Sequence, residues 1–423
     1  MLNLQYLRAN PDEAVKLLAK KHFDSKKLID EVISMDIMRR STQAELDLLL
    51  SQSNKISKEI GQLFAQGKQE DAAEKRKESV RLRDDARMLE NKLKSYEDKM
   101  YQLLVLLPNV PHDSVPDGKT PEDNVTVRAG GSMPSLPEHA KSHWELAAQY
   151  DIIDFEIGNK VTGSGFPFYK GKGAKLQRAL ISFFLDHAIA KGYVEYQPPL
   201  LVNGETAFAT GQLPDKDGQM YFVSDDKYYL IPTAEVPVTN VYRDVMLKEE
   251  QLPVKMTAYS QCFRREAGSY GKDVRGLNRL HQFDKVEIVR IDHPDRSYDV
   301  LEEMVIHVEE LINKLELPYR ILKLCGGDMS FASALTYDFE VFCAAQKKWL
   351  EVSSVSNFET FQSNRMKLRF KDRDGKIQLA HTLNGSALAL PRIVASLLEN
   401  NQAADGIKMP SALIPYTGWN KID

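Results

Sequence analysis

Counting by sevens from Leu28 reaches Leu28, Met35, Thr42, Leu49, Ile56 and Leu63, and the partner positions four residues on are Val32, Arg39, Leu46, Ser53 and Ile60. Eight of these eleven are apolar, which fits a coiled-coil seam with three polar interruptions. The polar run Gly67-Lys68-Gln69-Glu70-Asp71 breaks the pattern. A second register follows in Leu82, Ala86, Leu89, Leu93, Tyr96, Met100, Leu103 and Leu107, all apolar. Two heptad tracts around a short polar turn predict an antiparallel helical hairpin. Its first seam extends about 54 Å at the helical rise per residue, and Pro108 and Pro111 stop the second helix.

From Asp113 to Pro137 the chain carries several Pro and Gly and few large apolar residues, the composition of a linker. Beyond it the grammar turns mixed. A strongly periodic helix spans Gly173 to Lys191 through Leu176, Leu180, Phe183, Phe184 and His187, and Gly192 ends it. Strand-like runs then recur at Tyr193–Gln197, Met220–Val223, Tyr228–Ile231, Val254–Phe263, Phe283–Ile291, Tyr319–Lys323, Ala334–Val341, Leu350–Ser354 and Gln378–Leu383. Many lack the intervening helix that a parallel sheet needs, so an antiparallel sheet flanked by helices is expected. The predicted organisation is α+β: a helical hairpin arm over residues 1–112, a linker over 113–137, and a sheet-based domain over 138–423.

Composition narrows the partners. A chain of 423 residues suits two or three domains. Its net charge of −4 and pI near 6.2 mean that any nucleic-acid partner has to be met by local basic patches. Such residues gather toward the hairpin turn at Lys55, Lys58, Lys68, Lys75, Arg76, Lys77, Arg81, Arg83 and Arg87, but Glu59, Glu70, Asp71, Glu74 and Glu78 are interleaved. That is a mixed surface. Cys262, Cys325 and Cys343 are scattered without a Cys-x-x-Cys pair, which argues against a disulfide framework and a Cys-rich zinc site. No charged-then-apolar leader opens the sequence and no apolar run approaches a membrane span. A cytoplasmic protein with no membrane partner is expected.

The chemistry concentrates in two tracts. Phe263-Arg264-Arg265-Glu266 ends one strand-like run, and after a Gly-containing loop Leu280-His281-Gln282-Phe283-Asp284-Lys285-Val286-Glu287 opens the next. Arg264 offers paired donors to a phosphate or carboxylate. Phe283 suits stacking on a purine, and Glu287 suits a small ammonium or hydroxyl. The tract Thr382-Leu383-Asn384-Gly385-Ser386-Ala387-Leu388-Ala389-Leu390-Pro391-Arg392 reads as strand, small-residue turn, then a helix with arginine in its first turn, a geometry that aims cationic groups at an anion. Thr233-Ala234-Glu235 offers a hydroxyl and a carboxylate to a small cation. Glu351-Val352-Ser353-Ser354 places Glu351 and Ser353 on one strand face and Ser354 on the other, unless a bulge intervenes.

Taken together, the run from Phe263 to Glu287 resembles motif 2 of the class II aminoacyl-tRNA synthetases, in the form found in the seryl-tRNA synthetase family. The tract ending at Arg392 resembles motif 3, with Ala387 and Pro391 where glycine is more frequent. Gly192-Tyr193-Val194-Glu195-Tyr196-Gln197-Pro198-Pro199 resembles motif 1. Thr336-Tyr337-Asp338-Phe339-Glu340-Val341-Phe342 also matches, with Phe342 where the family often has tryptophan. The resemblance spans the chain and implies L-serine, ATP and serine tRNA as partners, with selenocysteine tRNA beside it, and a homodimer. It implies ATP contacts at Arg264, Arg265, Glu266, Leu280 (through its backbone), Phe283, Glu351, Val352, Ser353, Ser354 and Arg392. Serine contacts are implied at Thr233, Ala234, Glu235, Arg264, Glu287 and Ser386. Arg264, Glu266 and Arg392 form the implied catalytic set, with Mg²⁺ on Glu351 and Ser354 and no zinc. A threonyl or prolyl enzyme, or a non-catalytic tRNA-binding relative, shares part of this pattern. The hairpin, the lack of a zinc-ligand cluster, the absence of a further anticodon-binding domain after Arg392 and the intact Arg264, Glu266, Glu351 and Arg392 favour the seryl form.

Overall fold

The computed structural model describes residues 1–136, 138–266 and 275–423. Pro137 and the loop that follows Glu266 in motif 2 lie outside the described residues. Two compact units emerge, one of residues 1–19 and 23–108 and the other of residues 20–22 and 109–423.

The first unit is built on two long helices, α3 (Lys26–Ala65) and α4 (Gln69–Leu106), preceded by α1 (Leu4–Ala9) and α2 (Pro11–Lys20). The expected seam is the buried or half-buried line of α3: Val32, Thr42, Leu46 and Ile56 are buried and the other seven positions are partly covered. The turn is shorter than the polar run suggested. Gln69, Glu70 and Asp71 already form the first turn of α4, where acids meet the positive end of the helix dipole. The seam also continues upstream of Leu82 in buried Ala72 and Ser79, residues too small to register in an apolar count. Asp36, next to the seam residue Met35, is buried and takes Arg8 of α1 at 3.1 Å, Arg39 at 3.1 Å and Arg40 at 3.6 Å. A buried carboxylate persists only when it is paired in this way.

The second unit is organised by an eight-stranded sheet: β1 (Val125–Gly130), β2 (Val194–Tyr196), β3 (Val254–Phe263), β4 (Gln282–Asp292), β5 (Tyr319–Lys323), β6 (Leu335–Cys343), β7 (Lys348–Glu359) and β8 (His381–Ala389). Their order is β1-β5-β6-β7-β8-β4-β3-β2. Every pairing is antiparallel except β2 with β3. Helices α5 (Gly171–Ala190), α6 (Ser297–Lys314) and α7 (Leu390–Asn400) pack against it. Helix α5 buries Leu176, Leu180, Phe183, Phe184 and His187, the residues its periodicity selected, and Gly192 after it takes φ +82°, a conformation open chiefly to glycine.

Three expectations need correction. Residues 125–130, inside the expected linker, form the edge strand β1 against β5. Its Val125, Thr126 and Val127 are exposed, so no alternation of burial marked it. The run Gln378–Leu383 divides into Ile377–Leu379, paired with Arg369–Lys371, and the start of β8. Finally, the small-residue tract expected to turn continues as β8 straight through Ala389 into α7. Its small side chains serve close packing between β4 and β7: a Cβ added at Gly385 would meet Val355 Cγ2 at 3.2 Å.

Candidate active site

Strands β4 and β8 lie side by side, with Glu287 paired to Ser386. Because side chains alternate along a strand, Phe283, Lys285 and Glu287 of β4 share one face, as do Asn384 and Ser386 of β8. Glu235, at the start of the short helix Glu235–Thr239, joins them. Asn384 Nδ2 donates to Glu235 Oε2 and to Glu287 Oε1, each at 2.9 Å. Gln362 Nε2 donates to Glu235 Oε1 at 2.7 Å. Thr233 Oγ1 donates to Glu287 Oε2 at 3.0 Å, and Lys285 Nζ lies 2.7 Å from the same oxygen. Two buried carboxylates therefore stand against one buried ammonium, an excess of negative charge that favours a small cation. Burial, and then repulsion from Glu287, push the Glu235 carboxyl up to about 7.

The opposite end of the site is cationic. Arg264 follows the last residue of β3, with its guanidinium 5.4 Å from the centre of the Phe283 ring, within the range of a cation–π contact. Arg392 follows Pro391 in the first turn of α7. Its Nε donates to Asn278 O at 3.0 Å and its Nη1 to Glu351 O at 2.6 Å. Strand β7 bulges here: Ser353 pairs with Phe339 and Glu351 with Glu340, so Val352 is left over. The bulge brings Ser354 Oγ to 3.3 Å from Glu351 Oε1, resolving the alternation in favour of Glu351 and Ser354 acting together. Ser353 turns inward and donates to Ser386 O at 2.6 Å. Glu266, at φ +48°, accepts from Arg279 Nη1 at 2.9 Å. Opposite Ser354, burial and the nearby Glu351 hold the Asp338 carboxyl well above the usual carboxylate range.

Both ends face one cavity of about 550 Å³. Residues 1–111 match the family described as Seryl-tRNA synthetase N-terminal domain, and residues 221–401 match the tRNA synthetase class II core domain (G, H, P, S and T). The chain is 50% identical to the serine–tRNA ligase of Salinibacter ruber, covering 100% of this chain and 99% of that one. The chain belongs to the seryl-tRNA synthetase family. A solved seryl-tRNA synthetase from Pyrococcus horikoshii, complexed with ATP, is 34% identical with a TM-score of 0.93 and covers 100% of this chain and 99% of its own. The serine–tRNA ligase of Chlorobaculum parvum is 44% identical over the full length of both chains. The activity of the family, ligation of serine to tRNA on a class II core, is the activity of this chain.

Of the expected site residues, Thr233, Glu235, Arg264, Glu266, Leu280, Phe283, Glu351, Val352, Ser353, Ser354, Ser386 and Arg392 line the cavity. Three expected residues do not. Glu287 sits behind Thr233 and Asn384, Ala234 is fully buried, and Arg265 is exposed with its amide bonded to Gln219 O at 2.9 Å. Lys285, Asn384 and Gln362 were missed as site residues. Alternation alone places Lys285 beside Glu287 and Asn384 beside Ser386, whereas Gln362 comes from a separate helix and carries no such signal.

The pH response follows from Glu235. Its folded pKa lies above the ordinary carboxylate value, so the charged form that serves an ammonium is lost as pH falls through about 7. kcat/KM for serine in pyrophosphate exchange is expected to rise with pH around that value, since this ratio reports groups of the free enzyme. Glu287→Gln removes the repelling charge and should move the rise to lower pH; an unshifted profile would assign it to another group.

Proposed function

We propose that the anionic end of the cavity takes the serine ammonium and hydroxyl while the cationic end takes ATP, giving seryl-adenylate and pyrophosphate and then serine on the 3′-terminal ribose of tRNA. The observation that carries this reading is the Glu235–Asn384–Glu287 bridge with Thr233 and Ser386 around it, sharing one cavity with Arg264 and Phe283. The serine carboxylate attacks the α-phosphorus and expels pyrophosphate. It is already ionised, so no side chain has to act as a general base, and catalysis is positioning and charge stabilisation. Arg264 bridges the carboxylate and the α-phosphate, Phe283 stacks on the adenine, and Arg392 neutralises the terminal phosphate. Glu266 and the Leu280 backbone complete the nucleotide contacts.

Glu351 and Ser354 fit a hard divalent cation: the carboxylate is half exposed, a hydroxyl stands beside it, and Mg²⁺ shared with phosphates needs only one or two protein oxygens. When bound there, Mg²⁺ would neutralise phosphate charge.

The N-terminal arm is read as a grip on the long variable arm of serine tRNA and of selenocysteine tRNA. Exposed Lys55, Lys58, Lys68, Arg76, Lys77, Arg81, Arg83 and Arg87 support it. A homodimer is read from β2, an edge strand whose Val194 is 59% exposed. A cytoplasmic enzyme is the accompanying reading; among the described residues no helix is long and apolar enough to cross a membrane.

Serine alone is expected to support rapid ATP–pyrophosphate exchange. Alanine leaves buried polar groups unmet and threonine adds a methyl to a closed site, so both should fall behind by about a hundredfold or more. Equal exchange with either would remove the serine assignment.

A further inference from the structure

The segment 330–333 is a wall of the cavity: Ser330, Phe331 and Ala332 line it. Its carbonyls are all taken by two residues that are not part of the cavity lining. Lys21 Nζ donates to Ser330 O and Ser333 O, each at 2.8 Å, and lies 3.5 Å from Phe331 O. Asn109 donates from its amide N to Phe331 O at 2.9 Å and from Nδ2 to Ala332 O and Phe358 O, each at 2.9 Å. His112 N adds a bond to Ala334 O at 2.8 Å. A loop with every carbonyl bonded to a fixed donor has little freedom to shift.

The wall in turn carries side chains that meet the serine end. The Phe331 ring packs edge-on against Phe361 with centroids 6.0 Å apart, and the next residue, Gln362, is the donor to Glu235. Phe331 also receives the Lys216 ammonium 4.5 Å from its centroid, and Lys216 lines the same cavity with its neighbours Pro214, Asp215 and Asp217. Moving the wall would therefore move both that part of the lining and the support of Glu235.

We propose that Lys21 and Asn109 are positioning residues for serine binding, holding residues 330–333 so that Phe331 sets the serine end of the cavity. This rests on the reading of the cavity as the serine and ATP site. Lys21 and Asn109 follow α2 and α4 in sequence, and neither belongs to the motifs that carry the chemistry.

The test is steady-state pyrophosphate exchange by the full-length chain, varying serine and ATP separately. Lys21→Met is expected to raise the serine KM by about tenfold with kcat within about twofold, the signature of lost ground-state positioning. Lys21→Arg, which keeps N–H donors in reach of the carbonyls, should restore the KM to within about threefold of the parent. In a Phe331→Ala background, Lys21→Met should raise the KM no further, since coupled residues are non-additive. A folded Lys21→Met with the parental serine KM, a fall in kcat at unchanged KM, or full additivity with Phe331→Ala would each overturn the proposal. An inactive parent would overturn the reading of the cavity and this proposal with it, whereas an active parent indifferent to Lys21 would overturn this proposal alone.

Discussion

Arg264→Ala is expected to lower serine-dependent pyrophosphate exchange by about a hundredfold or more, the scale found when one preorganised charge stabiliser is removed. Arg264 lines the same cavity as the Glu235 pocket and as Arg392 and Glu351, and its charge is felt at Glu235. In the proposed reaction this arginine serves the point where carboxylate and α-phosphate meet, where charge would develop only as the new bond forms. The loss should therefore appear in kcat as well as kcat/KM. Stability should barely change, because the contact given up is a stacking on Phe283 worth about 0.5–1 kcal/mol. Arg264→Lys should recover only part of the rate, as an ammonium lacks the planar fork. Exchange by a folded Arg264→Ala within about threefold of the parent would move the catalytic arginine elsewhere.

The second large effect concerns the arm. Helices α3 and α4 pair along their length, with Lys75 of α4 3.4 Å from Glu59 of α3. Removing Gln43 to Asn91 and joining the cut ends by a short Gly/Ser turn keeps Asp36 with its three arginines. Every proposed contact to serine and ATP lies in the other unit. Exchange should stay within about threefold of the parent, while transfer to tRNA should fall by on the order of a hundredfold or more as phosphate contacts go. Replacing Lys75, Arg76, Lys77, Arg81 and Arg83 by Gln isolates the charge. Lys75 and Arg81 already face Glu78 and Asp85, so the slope of log affinity against log salt should become shallower by about 2 to 4. Parental charging and salt slope in that variant would mean that the basic surface is only solvated.

What could be read in the chain follows the physics of each element. The α3 seam was legible because one buried stripe on a long helix repeats many times, and α5 for the same reason. Arg264, Phe283 and Arg392 were picked out by the order of whole motifs along the chain, since each alone has bland uses, and the fold brings all three to one cavity. The edge strand β1 was not, since both its faces are largely exposed and its Gly and Pro neighbours imitate a linker. The end of β8 was misread because small residues that permit close sheet packing also permit turns. Gln362 was out of reach: its bond to Glu235 spans 127 residues and exists only once the sheet has formed. The Glu351–Ser354 partnership depended on a bulge that alternation could flag but not decide.

The central claim is that this chain selects serine and places it on tRNA. The most direct measurement is charging of unfractionated tRNA with ATP and Mg²⁺ in the presence of all twenty amino acids, with the residue attached to the 3′ end identified by mass spectrometry. Serine alone should be found, on the long-armed tRNAs. Threonine, proline or alanine attached at a comparable level, or no charging by a folded enzyme, would contradict the account.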